Sequence, residues 1–550
     1  MSAHIETGSM LSPGHYNSKA LNHLGLVSGM YDELGIGEKI DLLIPQDESK
    51  RRVSIGQAVK AMVLNGLGFS TRALYLTPLF FQDKPVERLL GEGIEASHLN
   101  DDVLGRALES LYEYGLESLY PQLAGLAVNR LKLACRFAHL DSTGFHVDGQ
   151  YNSSEEEEQG VIRITKGYSR DHRPDLNQVV LQLICERQAG IPLLMETLSG
   201  NNSDKESFRE TVKNHIAQMR SDFHVEYVVA DSALYVAETL KAMQDFFWIS
   251  RVPETLKLAR DMIHAVAPEL MENLEQSAFR SMGVVYGDVR QRWIIKYSPE
   301  AYQRALKTVN KRCLSQSTSE YKAFEKLCRQ EFACESDARK AFTTFEKTLK
   351  ITEVHEIHVT ALPRYRGKGR PAEGREPDFY AYHIAGSMAS LPGERVRRLE
   401  RKSCFILASN QTDCKALSSE ALIAAYKDQQ KVERGFRFLK DPMFMASTLF
   451  LESPRRIMAL MMVMTLCLMV YAALEYRIRE ALKQQEATFP DQKGNAIQNP
   501  TARWVFQYFS GIHILVIASV QTLVLNLQAH HLSLLRLLGE HYEILYSGDG

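Results

Sequence analysis

Residues 137–143 of the chain read FAHLDST, and residues 225–232 read VEYVVADS. Each segment is a short apolar run that reaches an acid, Asp141 in the first and Asp231 in the second. Strands that are buried on both faces have this nearly continuous apolar character. Open α/β sheets bind their ligands beyond the carboxyl ends of the strands. The two segments therefore predict two buried strands of an α/β sheet, each with a carboxylate at its ligand-binding end.

A third acid lies in residues 426–440, which read YKDQQKVERGFRFLK and follow a predicted strand over 404–410. Ser418 or Ser419 can cap a helix here, and Asp441-Pro442 can end it. In one continuous helix Tyr426, Glu433 and Lys440 would share a face, because they are seven residues apart. A separate apolar stripe can face the core; it consists of Val432, Phe436 and Leu439. The pattern predicts a carboxylate on a packed helix, flanked by a phenol and an ammonium group.

Asp141, Asp231 and Glu433 together suit a site for divalent metal ions. Mg²⁺ prefers octahedral oxygen ligands and is usually held by one or two carboxylates together with substrate phosphates. Two such ions, about 4 Å apart, can activate a water molecule and stabilise the leaving oxygen of a phosphodiester. We therefore predict a site for two Mg²⁺ ions, in which Mn²⁺ can substitute.

The order of these acids resembles that of the DDE transposases of bacterial insertion sequences. The spacing Tyr-x2-Gln-x3-Glu-x6-Lys around Glu433 resembles the Y-x2-R-x3-E-x6-K signature of one branch of that family. Two further segments are similar to family sequences: GYSRDHRPD at 167–175 and GNNSD at 200–204. The resemblance spans roughly residues 137–442.

The resemblance implies an RNase H-like fold, a mixed α/β sheet flanked by helices, with a large α+β insertion between Asp231 and Glu433. It implies a transposase that binds transposon ends, cleaves strands with the help of metal ions, and transfers them to target DNA. Its partners would be double-stranded DNA, at the terminal inverted repeats and the target, and a second protomer in a homodimeric synaptic complex. Its location would be the bacterial cytoplasm, in association with the nucleoid.

One position departs from the signature, because Gln429 replaces the family's arginine. In the family, that arginine and the signature lysine are taken to hold DNA phosphate. We hypothesise that Arg437, four residues after Glu433, supplies the missing guanidinium group. The expected DNA contacts from this segment are Tyr426, Gln429, Arg437 and Lys440.

The net charge of −2 is not that of a protein that coats DNA non-specifically, but basic clusters occur locally. One lies in a Gly/Pro-rich stretch and contains Arg364, Arg366, Lys368, Arg370 and Arg375. A second contains Arg395, Arg397, Arg398, Arg401 and Lys402. Clusters of this kind neutralise phosphates. We predict DNA contact for these stretches, although any single residue in them is more typical of a solvated loop.

Five regions are expected. Residues 1–130 form an N-terminal helical region that can bind DNA ends. Residues 131–255 form the first part of the catalytic core, residues 256–402 form an insertion, and residues 403–450 form the second part of the core with Glu433. Residues 451–550 form a C-terminal helical region for packing and possible dimerisation. Residues 104–108 belong either to a DNA-reading helix or to an accessory bundle. In the insertion, residues 299–349 predict a helical hairpin broken near 315–319. Trp293 is either a core residue, which we favour, or a platform for an unpaired base.

The segment Ile457–Leu474 is long and apolar enough to qualify as a transmembrane candidate. We favour a buried helix, packed against a second apolar helix from Ile512 to Leu527.

The eight cysteines are scattered without a C-x-x-C pair, which indicates a reducing compartment and argues against structural zinc. No signal peptide is indicated. Two other functions remain open: a catalytically silent DNA-binding relative, and a membrane-associated protein.

Overall fold

The structure is a computed structural model. It describes residues 16–47, 51–69, 74–147, 151, 160–167, 173–202, 204–367, 373–441, 451, 453–517 and 521–548. The chain forms two compact units, one of residues 1–250 and 420–550 and the other of residues 251–419. The predicted insertion, 256–402, lies within the second unit. The predicted core strand near 404–410 also belongs to this second unit.

The strands within the described residues are numbered in chain order: β1 Tyr16–Ala20, β2 Phe137–Val147, β3 Thr165–Lys166, β4 Asn177–Glu186, β5 Pro192–Ser199, β6 Tyr227–Ala230, β7 Phe247–Arg251, β8 Phe279–Tyr286, β9 Val289–Tyr297, β10 Thr352–Arg364, β11 Phe379–Ser390, β12 Cys404–Ser409, β13 Phe489–Pro490, β14 Ala496–Ile497, β15 His513–Ile517 and β16 Gln521–Leu525.

The α-helices are numbered in the same way: α1 Leu24–Glu33, α2 Ile36–Leu43, α3 Ile55–Leu67, α4 Thr77–Phe81, α5 Val86–Leu90, α6 Asp101–Tyr114, α7 Leu116–Leu131, α8 Asp204–Phe223, α9 Ala237–Ala242, α10 Lys257–Leu270, α11 Pro299–Cys328, α12 Glu335–Glu346, α13 Pro392–Ser403, α14 Ser419–Lys427, α15 Gln429–Leu439, α16 Pro454–Gln484, α17 Ala502–Tyr508, α18 Ala529–Leu538 and α19 Glu540–Leu545.

A mixed sheet forms the centre of the first unit. Its strands lie in the order β3-β4-β2-β6-β7, and β5 also pairs with β4. Strand β2 is antiparallel to β4 and parallel to β6, and β6 is parallel to β7. The apolar runs form these strands because β2 and β6 are buried almost throughout their length. Together with the flanking helices and the N-terminal helical region, this sheet confirms the predicted mixed α/β class.

Helix α16 runs through the core of the first unit, where it packs against α1, α3, α6 and α7 from the N-terminal region. By length and composition alone this helix could cross a membrane, but 89% of its most apolar window is buried inside the protein. That burial is typical of the core helix that the sequence analysis favoured.

Helix α6 buries Leu104, Ala107 and Leu108 and packs against α3 and α16, which favours the accessory bundle over a DNA-reading helix.

The prediction of a second apolar helix between Ile512 and Leu527 was wrong. Residues 513–517 and 521–525 are the antiparallel strands β15 and β16, and β1 pairs with the outer edge of β15. The segment reads HILVIASVQTLVL over 513–525 and is rich in Ile, Val and Thr. These β-branched residues favour extended backbone over helix because their χ1 rotation is restricted.

The second unit contains an antiparallel sheet in the order β12-β9-β8 and a separate hairpin of β10 and β11. Helices α10 and α13 pack against the sheet, and α12 packs against the hairpin. Trp293 in β9 is fully buried and its indole Nε1 donates to Gln291 Oε1 at 3.0 Å. The core role that we favoured for Trp293 is therefore confirmed.

The predicted break near residues 315–319 was misplaced. Helix α11 continues without interruption to Cys328, and the helical hairpin turns only after it. Two hydroxyls in this stretch, those of Ser317 and Thr318, donate to a backbone carbonyl of the same helix. Thr318 Oγ1, for example, lies 2.7 Å from the carbonyl oxygen of Leu314. Such bonds let Ser and Thr remain inside a helix although their propensity is low.

Candidate active site

The register of β2 and β6 places the two aspartates side by side. The paired positions run from Phe137 with Tyr227 to Leu140 with Ala230, so Asp141 and Asp231 come next on adjacent parallel strands. Neighbouring strands lie about 4.8 Å apart. Asp141 retains only 8% of its exposure, whereas Asp231 is half-buried. The two carboxylates therefore stand at the same level of the sheet.

Local hydrogen bonds orient both carboxylates. Asp141 Oδ1 accepts from the backbone amide of Ser142 at 2.8 Å. Asp231 Oδ1 accepts from the backbone amide of Ala233, also at 2.8 Å. The hydroxyl of Ser250 in β7 donates to the backbone carbonyl of Asp231 at 2.7 Å, so the next strand holds the chain where β6 ends.

The segment that carries Glu433 is not the single helix that the sequence predicted. It is interrupted at Asp428, which separates α14 from α15. Tyr426 therefore lies on a different helix from Glu433. Lys440 is the C-cap residue of α15. The Asp428 carboxylate accepts from Arg187 Nε at 2.5 Å. Lys431 Nζ donates to the backbone carbonyl of Arg187 at 2.7 Å. These contacts fix the break to the turn that follows β4.

Gln429, in the first turn of α15, is 6% exposed and joins this helix to β2. Its amide Nε2 donates to the carbonyl oxygen of Leu140 at 3.0 Å. Its Oε1 lies 2.9 Å from His139 Nδ1. Both partners immediately precede Asp141. The expectation that Gln429 contacts DNA is corrected, because its amide is buried and committed to β2.

Burial lowers the pKa of His139 to about 4, since the imidazolium form is poorly solvated there, and the bond to Gln429 offsets only part of that effect. His139 is therefore neutral near pH 7. Its Nδ1 can then carry the proton that it donates to Gln429 Oε1. Residue 139 is a core histidine.

Contacts at both ends of α15 set the level of Glu433 along β2. At the start of the helix Gln429 contacts Leu140. At its end the Lys440 ammonium lies 5.9 Å from the ring centroid of Phe145, which is further along β2. The helix thus follows the strand. The four residues from Gln429 to Glu433 advance about 6 Å, the length of about two strand residues. Starting from Leu140, this distance leads to the level of Asp141 and the residue after it.

The apolar stripe of α15 is buried as predicted; it consists of Val432, Phe436 and Leu439. The helix packs closely on α16, because a Cβ atom added to Gly435 would lie 3.1 Å from Leu468. Glu433 is exposed, beside this buried stripe. The packing fixes the helix and leaves the carboxylate accessible to a ligand.

The acids do not form a closed ligand cage. Among the residues that the structure describes, no group of three or more His, Cys, Asp or Glu side chains is placed to hold a metal ion. The donor set nevertheless fits Mg²⁺ or Mn²⁺, because carboxylate oxygens on two adjacent strands, and on a helix tied to one of them, leave open positions for substrate phosphate and water. The metal-binding roles of Asp141, Asp231 and Glu433 stay predictions.

The other residues that were expected to contact DNA have mixed environments. Arg437 is exposed, and its guanidinium group makes no hydrogen bond or ion pair within the described part of the chain. Tyr426 is half-buried. Arg364 forms an ion pair with Glu331, and Arg366 is exposed. Lys368 and Arg370 lie outside the described residues.

Sequence reasoning missed the positioning roles of Gln429 and of the Arg187–Asp428 pair. The departure at Gln429 was itself the signal, since an uncharged residue at a position expected to bind phosphate favours a structural role. No local pattern could show that its partners lie about 290 residues earlier.

Comparison with known families gives two matches. A family model described as a transposase DDE domain matches residues 136–470, more than half of the chain and all three acids. A domain of unknown function, DUF4277, matches residues 16–125. No curated protein matches the chain.

Among solved structures, the chain matches the cryo-EM structure of the piggyBac transposase synaptic complex with hairpin DNA. The identity is 8% and the TM-score 0.36, over 88% of this chain and 79% of that one. A similarity at this level carries no argument about fold or function. The family match to residues 136–470 therefore carries the comparison.

Proposed function

The chain belongs to the DDE transposase family and is a DNA transposase, and from this premise we propose that Asp141, Asp231 and Glu433 form its catalytic centre. The proposed reaction is cleavage of strands at transposon ends followed by transfer of those ends to target DNA. The particular branch with the tyrosine, arginine and lysine signature is part of this proposal, because Gln429 departs from it.

One observation supports the site above all others. Asp141 and Asp231 follow consecutive pairs of the parallel β2–β6 ladder, and Gln429 ties the helix of Glu433 to the residue before Asp141. This arrangement supports a shared site for three acids from distant parts of the sequence. A purely structural role would not require carboxylates at all three positions.

In the proposed mechanism the three carboxylates bind two divalent cations, Mg²⁺ or Mn²⁺. When bound, such ions supply Lewis-acid chemistry that favours attack on a phosphodiester and stabilises its leaving oxygen. Asp141 contributes from a site that is largely closed to water, and Asp231 from one that is half-open. Glu433 reaches in from the helix and completes the ligand set.

The chain's own cations would hold the DNA strand beside the acids. Arg437 is one turn beyond Glu433 and, within the residues that the structure describes, has an unpaired guanidinium group, which suits bidentate binding of phosphate. Lys440 follows it at the end of α15, and Tyr426 lies on the preceding helix. Such groups fix the position of the strand without reading its sequence.

The strand chemistry proposed here needs no covalent protein–DNA intermediate. Water attacks the phosphodiester at the transposon end, the P–O bond to the leaving oxygen breaks, and a 3′-hydroxyl is freed. That hydroxyl then attacks a phosphodiester of the target, and the target's own 3′ oxygen leaves. We propose double-stranded DNA as the substrate, two protomers to pair the two ends, and action in the bacterial cytoplasm at the nucleoid.

The test compares Asp231→Asn and Glu433→Gln with the parent in metal-dependent nicking of DNA that carries the element's ends. We expect both variants to lose nicking by several orders of magnitude while they bind the same DNA with unchanged affinity. Asp245→Asn, an exposed acid before β7, is the control and should nick like the parent. A parent that binds the ends but never nicks them with Mg²⁺ or Mn²⁺ would instead indicate the catalytically silent relative.

A further inference from the structure

The second unit contains a basic groove between helices α11 and α13, with a volume of about 470 Å³. The residues that line this α11–α13 groove are Ala301, Arg304, Ala305, Thr308, Val309, Arg312, Arg398, Arg401 and Lys402. Five of these nine side chains are cationic and none is acidic. The charge of the lining therefore favours a negatively charged occupant.

The five cations are not all engaged by the protein itself. Lys402 pairs with Glu254 at 3.0 Å, Arg398 donates to Gln316 at 3.1 Å, and Arg304 donates to its own helix. By contrast, within the described ranges the guanidinium groups of Arg312 and Arg401 make no hydrogen bond or ion pair. Ten N–H donors on two rigid helices are thus available to a ligand, since each guanidinium carries five.

The floor of the groove is apolar, because Ala305 and Val309 are buried there. Basic walls over an apolar floor suit a sugar–phosphate strand, whose phosphates meet the arginines while the sugars face the floor. The lining has no aromatic ring on which a base could stack, and Thr308 is its only uncharged polar side chain. Single-stranded DNA and free nucleotides are normally held by such stacking.

We propose that the α11–α13 groove binds the backbone of double-stranded DNA, independently of sequence, through Arg312 and Arg401. The inference rests on the proposed function, because it takes the DNA substrate from there. It assigns the second unit the role of holding duplex DNA. Backbone contacts of this type position a protein on DNA and carry no sequence information.

The experiment measures binding of the full-length protein to duplex DNA as a function of salt, for the parent and Arg312→Ala/Arg401→Ala. Each phosphate contact contributes about 0.9 to the slope of log K against log salt. Losing two contacts should lower the slope by about 1.8, so the parent should lose about 12-fold more affinity than the variant between 50 and 200 mM salt.

The matched control is Lys307→Ala/Lys322→Ala, which removes two exposed charges from α11 outside the groove and should keep the parental slope. Arg312→Lys/Arg401→Lys guards against misfolding; it preserves the charge and should recover most of the slope. The groove has no role in DNA binding if the alanine variant keeps the parental slope, or if the control loses as much. A thermal shift with inorganic phosphate or ATP that depends on both arginines would equally overturn it, in favour of a small anion.

Nicking assays on the same preparations separate the two proposals. A parent that nicks DNA, combined with an unchanged slope in the alanine variant, rejects the groove and keeps the proposed function. A parent that never nicks, combined with the predicted loss of slope, rejects the catalytic proposal and keeps the groove.

Discussion

A single amide side chain connects the strand of Asp141 to the helix of Glu433. Gln429 uses its donor for the carbonyl of Leu140 and its acceptor for His139, so no polar atom of the amide needs a further partner at a buried position. A buried amide is stable only when both of its polar groups are paired. The positioning of Glu433 therefore depends on a residue that need not touch DNA.

We expect Gln429→Ala to lower the free energy of unfolding by about 2–6 kcal/mol, because it leaves two buried partners unpaired at roughly 1–3 kcal/mol each. Nicking should fall further than stability explains, since α15 loses its link to β2. Chemical denaturation and nicking at a temperature where both proteins are folded measure the two effects.

Gln430→Ala is the control for that experiment, because Gln430 is the exposed neighbour of Gln429 on the same helix. It should leave both stability and nicking unchanged. If the two alanine variants behave alike, the Gln429 link does not position the site.

At the scale of the element, α15 presents three different faces. One is buried in the core, one carries Glu433 and Arg437, and Arg434 points further outward. At 100° per residue, Arg437 is about 40° from Glu433 around the helix axis and Arg434 about 100°. Of these two arginines, Arg437 is the one on the same face as the acid.

Arg437→Ala should therefore reduce nicking at the transposon ends by roughly 10-fold to 100-fold, through loss of a charge-assisted contact worth about 1.5–3 kcal/mol. Arg434→Ala removes the same charge from a different face of the helix and should have little effect. The rates of end nicking under saturating DNA provide the measurement. Equal rates for Arg437→Ala and the parent would show that Arg437 does not replace the family's arginine.

The elements that could be predicted are those whose signal is local. The apolar runs around Asp141 and Asp231 gave the correct strands, but β2 continues to Val147, so Asp141 lies within its strand and not at its end as predicted. The 3.6-residue stripe of α15 gave the correct buried face. The break at Asp428 was not predictable, because it depends on an ion pair with Arg187, 241 residues earlier. The β15–β16 hairpin was mistaken for a helix because a short apolar run fits either structure.

At the scale of the whole molecule, the first and last described segments of the chain are part of one core. Strand β1 pairs with β15, and α1 packs against α19. Two glycines of α1 make room for tyrosines from the C-terminal segment, and a Cβ atom on Gly29 would lie 2.7 Å from Tyr542. The N-terminal helices therefore depend on the last twenty residues of the described chain.

This packing predicts opposite effects for two glycine substitutions. Gly29→Ala should destabilise the protein by about 1–3 kcal/mol, because Tyr542 must move. Gly125→Ala, also within a helix but with open space around the new methyl group, should stabilise it by about 0.5–1 kcal/mol. Thermal unfolding of both variants provides the measurement, and a Gly29→Ala protein as stable as the parent would contradict the close packing of the chain ends.

Binding of Mn²⁺, followed by electron paramagnetic resonance on the full-length protein, tests the shared metal site most directly. The parent should bind Mn²⁺, and Asp141→Asn, Asp231→Asn and Glu433→Gln should each weaken binding by roughly tenfold or more, because each acid supplies oxygen ligands to the same ions. Asp245→Asn should bind like the parent. Three variants that all bind Mn²⁺ as tightly as the parent would show that these acids do not share a metal site.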